Sequence, residues 1–161
     1  MGLIQLPTFK MRPDEQIVPL AINHLELLEL QEHELQYVET IPHYLDYIFE
    51  NSELGWSWAG IGQGKVVCCF GLRPIWKGVA EAWLVPGKGL ETHARTLLVG
   101  ARTLFDQAVS DNDITRLQIY VKEENEVALR FAKAIGFDVE SKLRKFGPEG
   151  ADYIGLVRFS K

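Results

Sequence analysis

The chain is short of cysteine, of spaced metal ligands, of basic charge and of long apolar runs, and each shortage removes a class of protein. Its two cysteines, Cys68 and Cys69, are neighbours; successive side chains of a strand point to opposite faces, so the pair cannot form a bridge and reads as core. His24, His33, His43 and His93 are scattered without His-x-x-x-His or Cys-x-x-Cys spacing, so no metal site is expected. No uninterrupted apolar run approaches the ~20 residues a bilayer-crossing helix needs. The segment from Met1 to Gln16 lacks the basic-then-apolar layout of an export leader, so a cytoplasmic protein without a membrane partner is expected. Lys and Arg number 17 against 22 Asp and Glu, a net charge of −5. Such a surface repels phosphate backbones, and no nucleic-acid partner is expected.

What is present suits one globular domain over residues 1–161, with 47% hydrophobic and 24% charged residues and no Ser/Gly tract or charge block to mark a linker. A first strand is predicted near Ile17 to Ala21. The leucines of INHLELLELQEHELQYV recur at helical spacing and predict one or two helices. Pro42 opens a further helix, HYLDYIFEN, with Tyr44, Tyr47 and Ile48 on one side. From Trp56 the pattern shortens to three strands, GWSWAGI, KVVCCFGL and GVAEAWLV, with a Gly62-Gln63-Gly64 hairpin turn between the first two. After a Pro86-Gly87-Lys88-Gly89 turn, Ala94, Leu97, Leu98, Ala101, Leu104, Phe105 and Ala108 share one face of a long helix. Leu117, Ile119 and Val121 alternate with Arg116, Gln118 and Tyr120 along the next strand. The chain closes with DVESKLRKF, a Gly147-to-Gly150 turn and ADYIGLVRF, an antiparallel hairpin. That hairpin could pair with a second copy, making a homodimer.

The most informative stretch is Asn125 to Phe137, NEVALRFAKAIGF. Ala128, Phe131 and Ile135 form one apolar stripe, Gly136 ends the helix in a left-handed turn, and Phe137 folds back on the last turn. The spacing Asn-x-x-Ala-x-x-Phe-x-x-x-x-Gly-Phe resembles the fourth-helix motif of the GNAT superfamily of acyl-CoA-dependent N-acetyltransferases. The order of elements over about residues 10 to 160 is similar too. The resemblance implies an α/β (α+β) fold with a mixed, mostly antiparallel sheet of six to seven strands flanked by about four helices. QLPTFKMRP also looks similar to GNAT-like proteins of tailed bacteriophages, some of them virion-associated, which would place the protein in a host cytoplasm or a virion.

In that family the strand matching GVAEAWLV splays from the one matching ITRLQIYV, and acetyl-CoA, the co-substrate, enters the opening. By resemblance Val85 supplies backbone contacts. The turn and first helical residues, Lys88, Thr92, His93, Ala94 and Arg95, cradle the phosphates, and Asn125 faces the cofactor. The chain departs from the family's Arg/Gln-x-x-Gly-x-Gly/Ala cradle: Gly89 stands at the Arg/Gln position, Thr92 at the first glycine and Ala94 at the second. Thr92 narrows backbone approach, and Glu91 repels a diphosphate where Lys88 and Arg95 attract one.

Acetyl transfer needs a neutral amine and a protonated leaving thiol. Glu81 shares a strand face with Val79, Trp83 and Val85 and is the candidate base. The family's acid is a tyrosine at the position Ala132 occupies, so by resemblance the proton comes instead from Tyr120, from Tyr153 or from water, with Tyr120 the candidate donor. The acceptor is a small-molecule or protein amine, with Trp56, Trp58, Trp76 and Trp83 available to line an aromatic pocket. The altered cradle and Ala132 also fit a GNAT-fold interaction protein without catalysis.

Overall fold

A computed structural model describes residues 11–52 and 56–160. These residues form seven strands and five α-helices. In chain order they are β1 (Glu15–Pro19), α1 (Ile22–Leu27), α2 (Glu32–Thr40), α3 (Tyr44–Ser52), β2 (Trp56–Gly62), β3 (Lys65–Trp76), β4 (Val79–Pro86), α4 (Leu90–Asp111), β5 (Arg116–Lys122), α5 (Glu126–Ala134), β6 (Asp138–Leu143) and β7 (Tyr153–Phe159), with a 3-10 turn at Pro148–Gly150 before the last strand. One sheet orders them β1-β2-β3-β4-β5-β7-β6, and only the β4–β5 pair is parallel. The sheet has the expected mixed, mostly antiparallel character. The leucine-rich stretch divides into two helices, α1 and α2. The first strand begins two residues earlier than its hydrophobic run suggests, because Glu15 is drawn into the interior by a partner that lies far away in sequence. The stretch QLPTFKMRP lies almost wholly outside the described residues.

Alternation along the strands sorts the interior into two layers. On one face Cys68, Phe70, Leu72, Ala80, Ala82, Leu117 and Leu156 pack beneath α4 and α5, with Leu97, Leu104 and Phe105 reaching down from α4. On the other, Ala59, Cys69 and Val85 meet Leu25 and Leu28 around α1. The two cysteines thus stand back to back, and burial pushes the Cys68 thiol up to about 12, so both act as small hydrophobes. Trp58, Phe70 and Phe105 run through the main layer with ring centroids 5.7 and 6.1 Å apart.

α5 ends as its glycine predicts. Gly136 has φ 100°; its N–H donates to the Lys133 carbonyl at 3.1 Å, and the Phe137 N–H donates to the Ala132 carbonyl at 3.1 Å. This is a Schellman ending, and it delivers Phe137 to the core at 1% exposure. At the other end the Asn125 side chain accepts from the Ala128 N–H at 3.0 Å.

The first turn of α4 is anchored from below. His93 Nδ1 lies 3.0 Å from Glu15 Oε2, both side chains almost wholly buried, and the Arg12 N–H donates to the same carboxylate at 3.2 Å. Gly62 leaves the space that the imidazole fills, since a Cβ there would collide with the His93 ring. A buried carboxylate must be paired or neutralised, and this cluster does the pairing while fixing α4 to β1 and β2.

Leu104 is completely buried under the sheet. Leu104→Ala should therefore lower unfolding stability by about 2–5 kcal/mol. Urea denaturation will measure it, and a loss below about 1 kcal/mol would contradict the packing described.

Candidate active site

The site begins where a hydrogen-bonded ladder stops. β4 and β5 pair through Val79–Arg116, Ala80–Leu117 and Glu81–Gln118, and among the described residues no pair follows. Beyond that point β4 stays with β3 as far as Pro86, while β5 stays with β7 to Lys122. The facing edges of Ala82–Pro86 and Ile119–Lys122 part, and a cavity of about 340 Å³ fills the gap. Buried backbone groups need partners, so such edges must be met by solvent or by a ligand.

Because strand side chains alternate, the slot is bordered by two different surfaces. Toward α4 and α5 it is apolar, lined by Leu84, Leu97, Ala101, Phe131, Ala132 and Ile135. Ala132 is 1% exposed and its small side chain deepens this wall. Toward α2 and α3 the lining is aromatic and polar, with Glu34, Tyr37, Tyr44, Trp83, Phe146 and Tyr153.

Four of the residues singled out from sequence come together here. Glu81, Val85, Tyr120 and Asn125 all border the cavity. Glu81 sits at the last rung of the ladder with its Oε2 3.3 Å from an Arg73 nitrogen, so its surroundings are ionic as well as apolar. Tyr120 packs at a tilt against Phe146 with centroids 5.3 Å apart, and its hydroxyl oxygen accepts from the Gln118 amide at 3.1 Å, leaving the hydroxyl hydrogen for another acceptor. Asn125 spends its carbonyl oxygen on the α5 cap. Val85 is buried, at 1% exposure.

The phosphate-loop group divides differently. Lys88, Thr92 and Arg95 are exposed near the start of α4 and Ala94 is half-buried; none of the four lines the cavity. The expectation for His93 is corrected: its ring is turned into the core against Glu15, so it cannot reach an anion at the loop. The loop has also spent part of its donor set. The Gly87 N–H goes to the Val67 carbonyl at 2.8 Å and the Lys88 N–H to the Glu29 carbonyl at 2.7 Å. Gly89, at φ 90°, starts the helix. Of the four tryptophans only Trp83 lines the cavity; Trp58 is core, Trp56 packs against it, and Trp76 is 71% exposed.

Sequence reasoning missed the α2 contribution; the α3 segment, which the GNAT resemblance sets beside the acceptor groove, does border the cavity through Tyr44 and Ile48. The Tyr37 and Tyr153 hydroxyls hydrogen-bond to each other, tying α2 to β7 across the slot. Tyr37 stacks on Tyr44 with centroids 5.8 Å apart, and Tyr153 meets the edge of Phe146 at 5.3 Å. Gly147 is needed where it stands, because a Cβ would enter the Tyr153 ring. Glu34 is 8% exposed. Burial pushes its carboxyl up to about 7 and holds the phenols of Tyr37, Tyr44 and Tyr153 above their ordinary value. A signal was there: Glu34, Tyr37 and Ile41 stand at i, i+3 and i+7, which sets a carboxylate in an apolar row.

No protein-family model matches the sequence, and no curated protein matches it. Solved structures do. Ard1 from Thermoplasma volcanium superposes with a TM-score of 0.69 at 17% identity, covering 92% of this chain and 99% of that one. The microcin C7 self-immunity acetyltransferase MccE, in complex with acetyl-CoA and AMP, gives 0.71 at 13%, covering 92% and 94%. A GNAT family acetyltransferase from Elizabethkingia anophelis, with acetyl-CoA bound, gives 0.63 at 15%, covering 92% and 100%. The fold is the GNAT fold. The expected parting of β4 from β5 is present in it.

Glu34 makes stability depend on pH. Its carboxyl lies near 7 when folded against about 4.5 ordinarily, so the fold favours the neutral form. That contribution is complete below about pH 4.5, declines as the pH rises, and is gone above about pH 7. Relative to Glu34→Gln, the wild-type protein should lose on the order of 3 kcal/mol of stability across this window. Urea midpoints measured at successive pH values will show it, and a wild-type-minus-variant difference that stays flat would mean the carboxyl is not desolvated.

Proposed function

We propose that the chain is an N-acetyltransferase that moves an acetyl group from acetyl-CoA to an amine. The observation that carries this reading is the interrupted β4–β5 ladder with a cavity in the gap. GNAT-fold neighbours with acetyl-CoA bound support it. The backbone of Ala82–Pro86 offers groups to the amides of an extended thioester arm, and the apolar wall beside Ala132 accommodates its methylenes. Lys88 and Arg95 supply positive charge near the start of α4, where the helix dipole favours an anion. The acceptor nitrogen attacks the thioester carbonyl carbon and the carbon–sulfur bond breaks. Glu81 takes the proton lost by nitrogen, and Tyr120 gives one to the departing thiolate. The acceptor is a small-molecule or protein amine.

The spent N–H groups of Gly87 and Lys88, together with Ala132, favour a second reading, a GNAT-fold interaction protein that performs no transfer. Thiol release from acetyl-CoA over a panel of amines separates the two. Under the enzymatic reading Glu81→Gln should lower kcat roughly 100-fold and Tyr120→Phe roughly 10-fold or more, with KM for acetyl-CoA little changed. Calorimetry that detects no heat at millimolar acetyl-CoA would remove the enzymatic reading.

A further inference from the structure

A row of hydrogen-bonded side chains starts on the edge strand β6, follows β5 and ends at the slot. Glu140 stands where the pairing of β6 with β7 skips between Val139 and Ser141, and its carboxylate accepts from the Arg116 guanidinium through both oxygens, at 2.9 Å for Nη1. Arg116 also lies over the Phe159 ring, 5.9 Å from its centroid. Its Nε–H donates to Gln118 Oε1 at 3.0 Å. Gln118 Nε2 in turn donates to the Tyr120 hydroxyl oxygen at 3.1 Å. Resting on the acetyl-transfer reading, we propose that Gln118 is a positioning residue for Tyr120, its amide locked in one direction by Arg116 and Glu140 so that the hydroxyl hydrogen is presented to the slot.

The direction follows from the donor inventory. A guanidinium has N–H donors and no acceptor, so Gln118 must turn its oxygen toward Arg116. Its NH2 group is then left for Tyr120, whose oxygen must accept. The Tyr120 hydrogen therefore points away from Gln118; among the described residues the hydroxyl has no other hydrogen-bond partner, and Tyr120 borders the cavity. Glu140, Arg116 and Gln118 do not line the cavity, so each acts through Tyr120. In the transfer step the Tyr120 O–H bond breaks and a bond from that hydrogen to the departing sulfur forms, leaving a phenolate. A hydrogen bond to an ionised oxygen is roughly twice as strong as one between neutral groups, so Gln118 holds the phenolate better than the phenol. Water returns a proton to Tyr120, and Glu81 releases to water the proton it took from the amine.

The test reverses the polarity of the row without changing its shape. In Gln118→Glu both side-chain oxygens accept, so the Tyr120 hydrogen is drawn toward residue 118 and away from the slot. With acetyl-CoA and the amine that the wild-type protein acetylates fastest in the panel, kcat should fall about tenfold while KM for acetyl-CoA stays level. In a Tyr120→Phe background the same change should alter kcat by less than about twofold, a coupling that a merely structural role would not produce. Arg116→Met, which frees the amide to turn over, should give a smaller loss that also vanishes in Tyr120→Phe. A second readout needs neither acetyl-CoA nor an acceptor: the Gln118 side-chain amide resonance, assigned by its disappearance in Gln118→Leu, should shift in Tyr120→Phe. An unchanged kcat in Gln118→Glu, equal losses in both backgrounds, or an unmoved resonance would each overturn the proposal. Thiol release absent from the wild-type protein across the panel would remove acetyl transfer and this role with it, whereas additive losses or an unmoved resonance in an active enzyme would remove the role alone.

Discussion

The structure depends on a parallel ladder that breaks off after three rungs. A parallel pair is made by a crossover, here the 22 residues of α4, and it is the one junction between two otherwise complete antiparallel sets, β1 to β4 and β5 with β7 and β6. Each set keeps its own antiparallel pairing to the end of its strands while the junction stops at Glu81 and Gln118, and strand twist carries the facing edges apart. The opening is held by what lies around it. α4 packs across the main layer from above, and the Tyr37–Tyr153 hydrogen bond ties α2 to β7 on the opposite face.

The protein treats its interior carboxylates in opposite ways. Glu15 is surrounded by His93 and Arg12 and serves to hold the start of α4 against β1. Glu34 is surrounded by phenols and is driven toward its neutral form. Glu81, half-buried at the last rung, is kept beside Arg73. Pairing, neutralisation and partial exposure are the three routes by which a carboxylate avoids the full cost of burial.

Much of this was legible from periodicity. The alternation of Leu117, Ile119 and Val121, the apolar face of α4 and the Gly136-Phe137 ending all follow from local rules, and the structure shows each where those rules place it. The face shared by Glu81, Trp83 and Val85 was readable for the same reason, since a strand has a period of two. His93 was not. Its position one turn into α4 suggested the anion loop, yet the direction of its side chain is set by Glu15 and by the space above Gly62, both more than 30 residues away in sequence. Tyr37 of α2 joins the cavity wall through its hydroxyl contact with Tyr153, from the last strand.

The amino-acid order by itself determined which segments are helices and strands, which of their faces are apolar, and where the chain turns, because these depend on interactions spanning a few residues. Only the tertiary structure decided that β4 and β5 part, that Glu34 is enclosed while Glu81 finds Arg73, and that His93 points into the core. Each of those outcomes depends on which distant groups share a small volume, and burial, pairing and the energy of an ionised group are properties of that volume and not of any one stretch of chain.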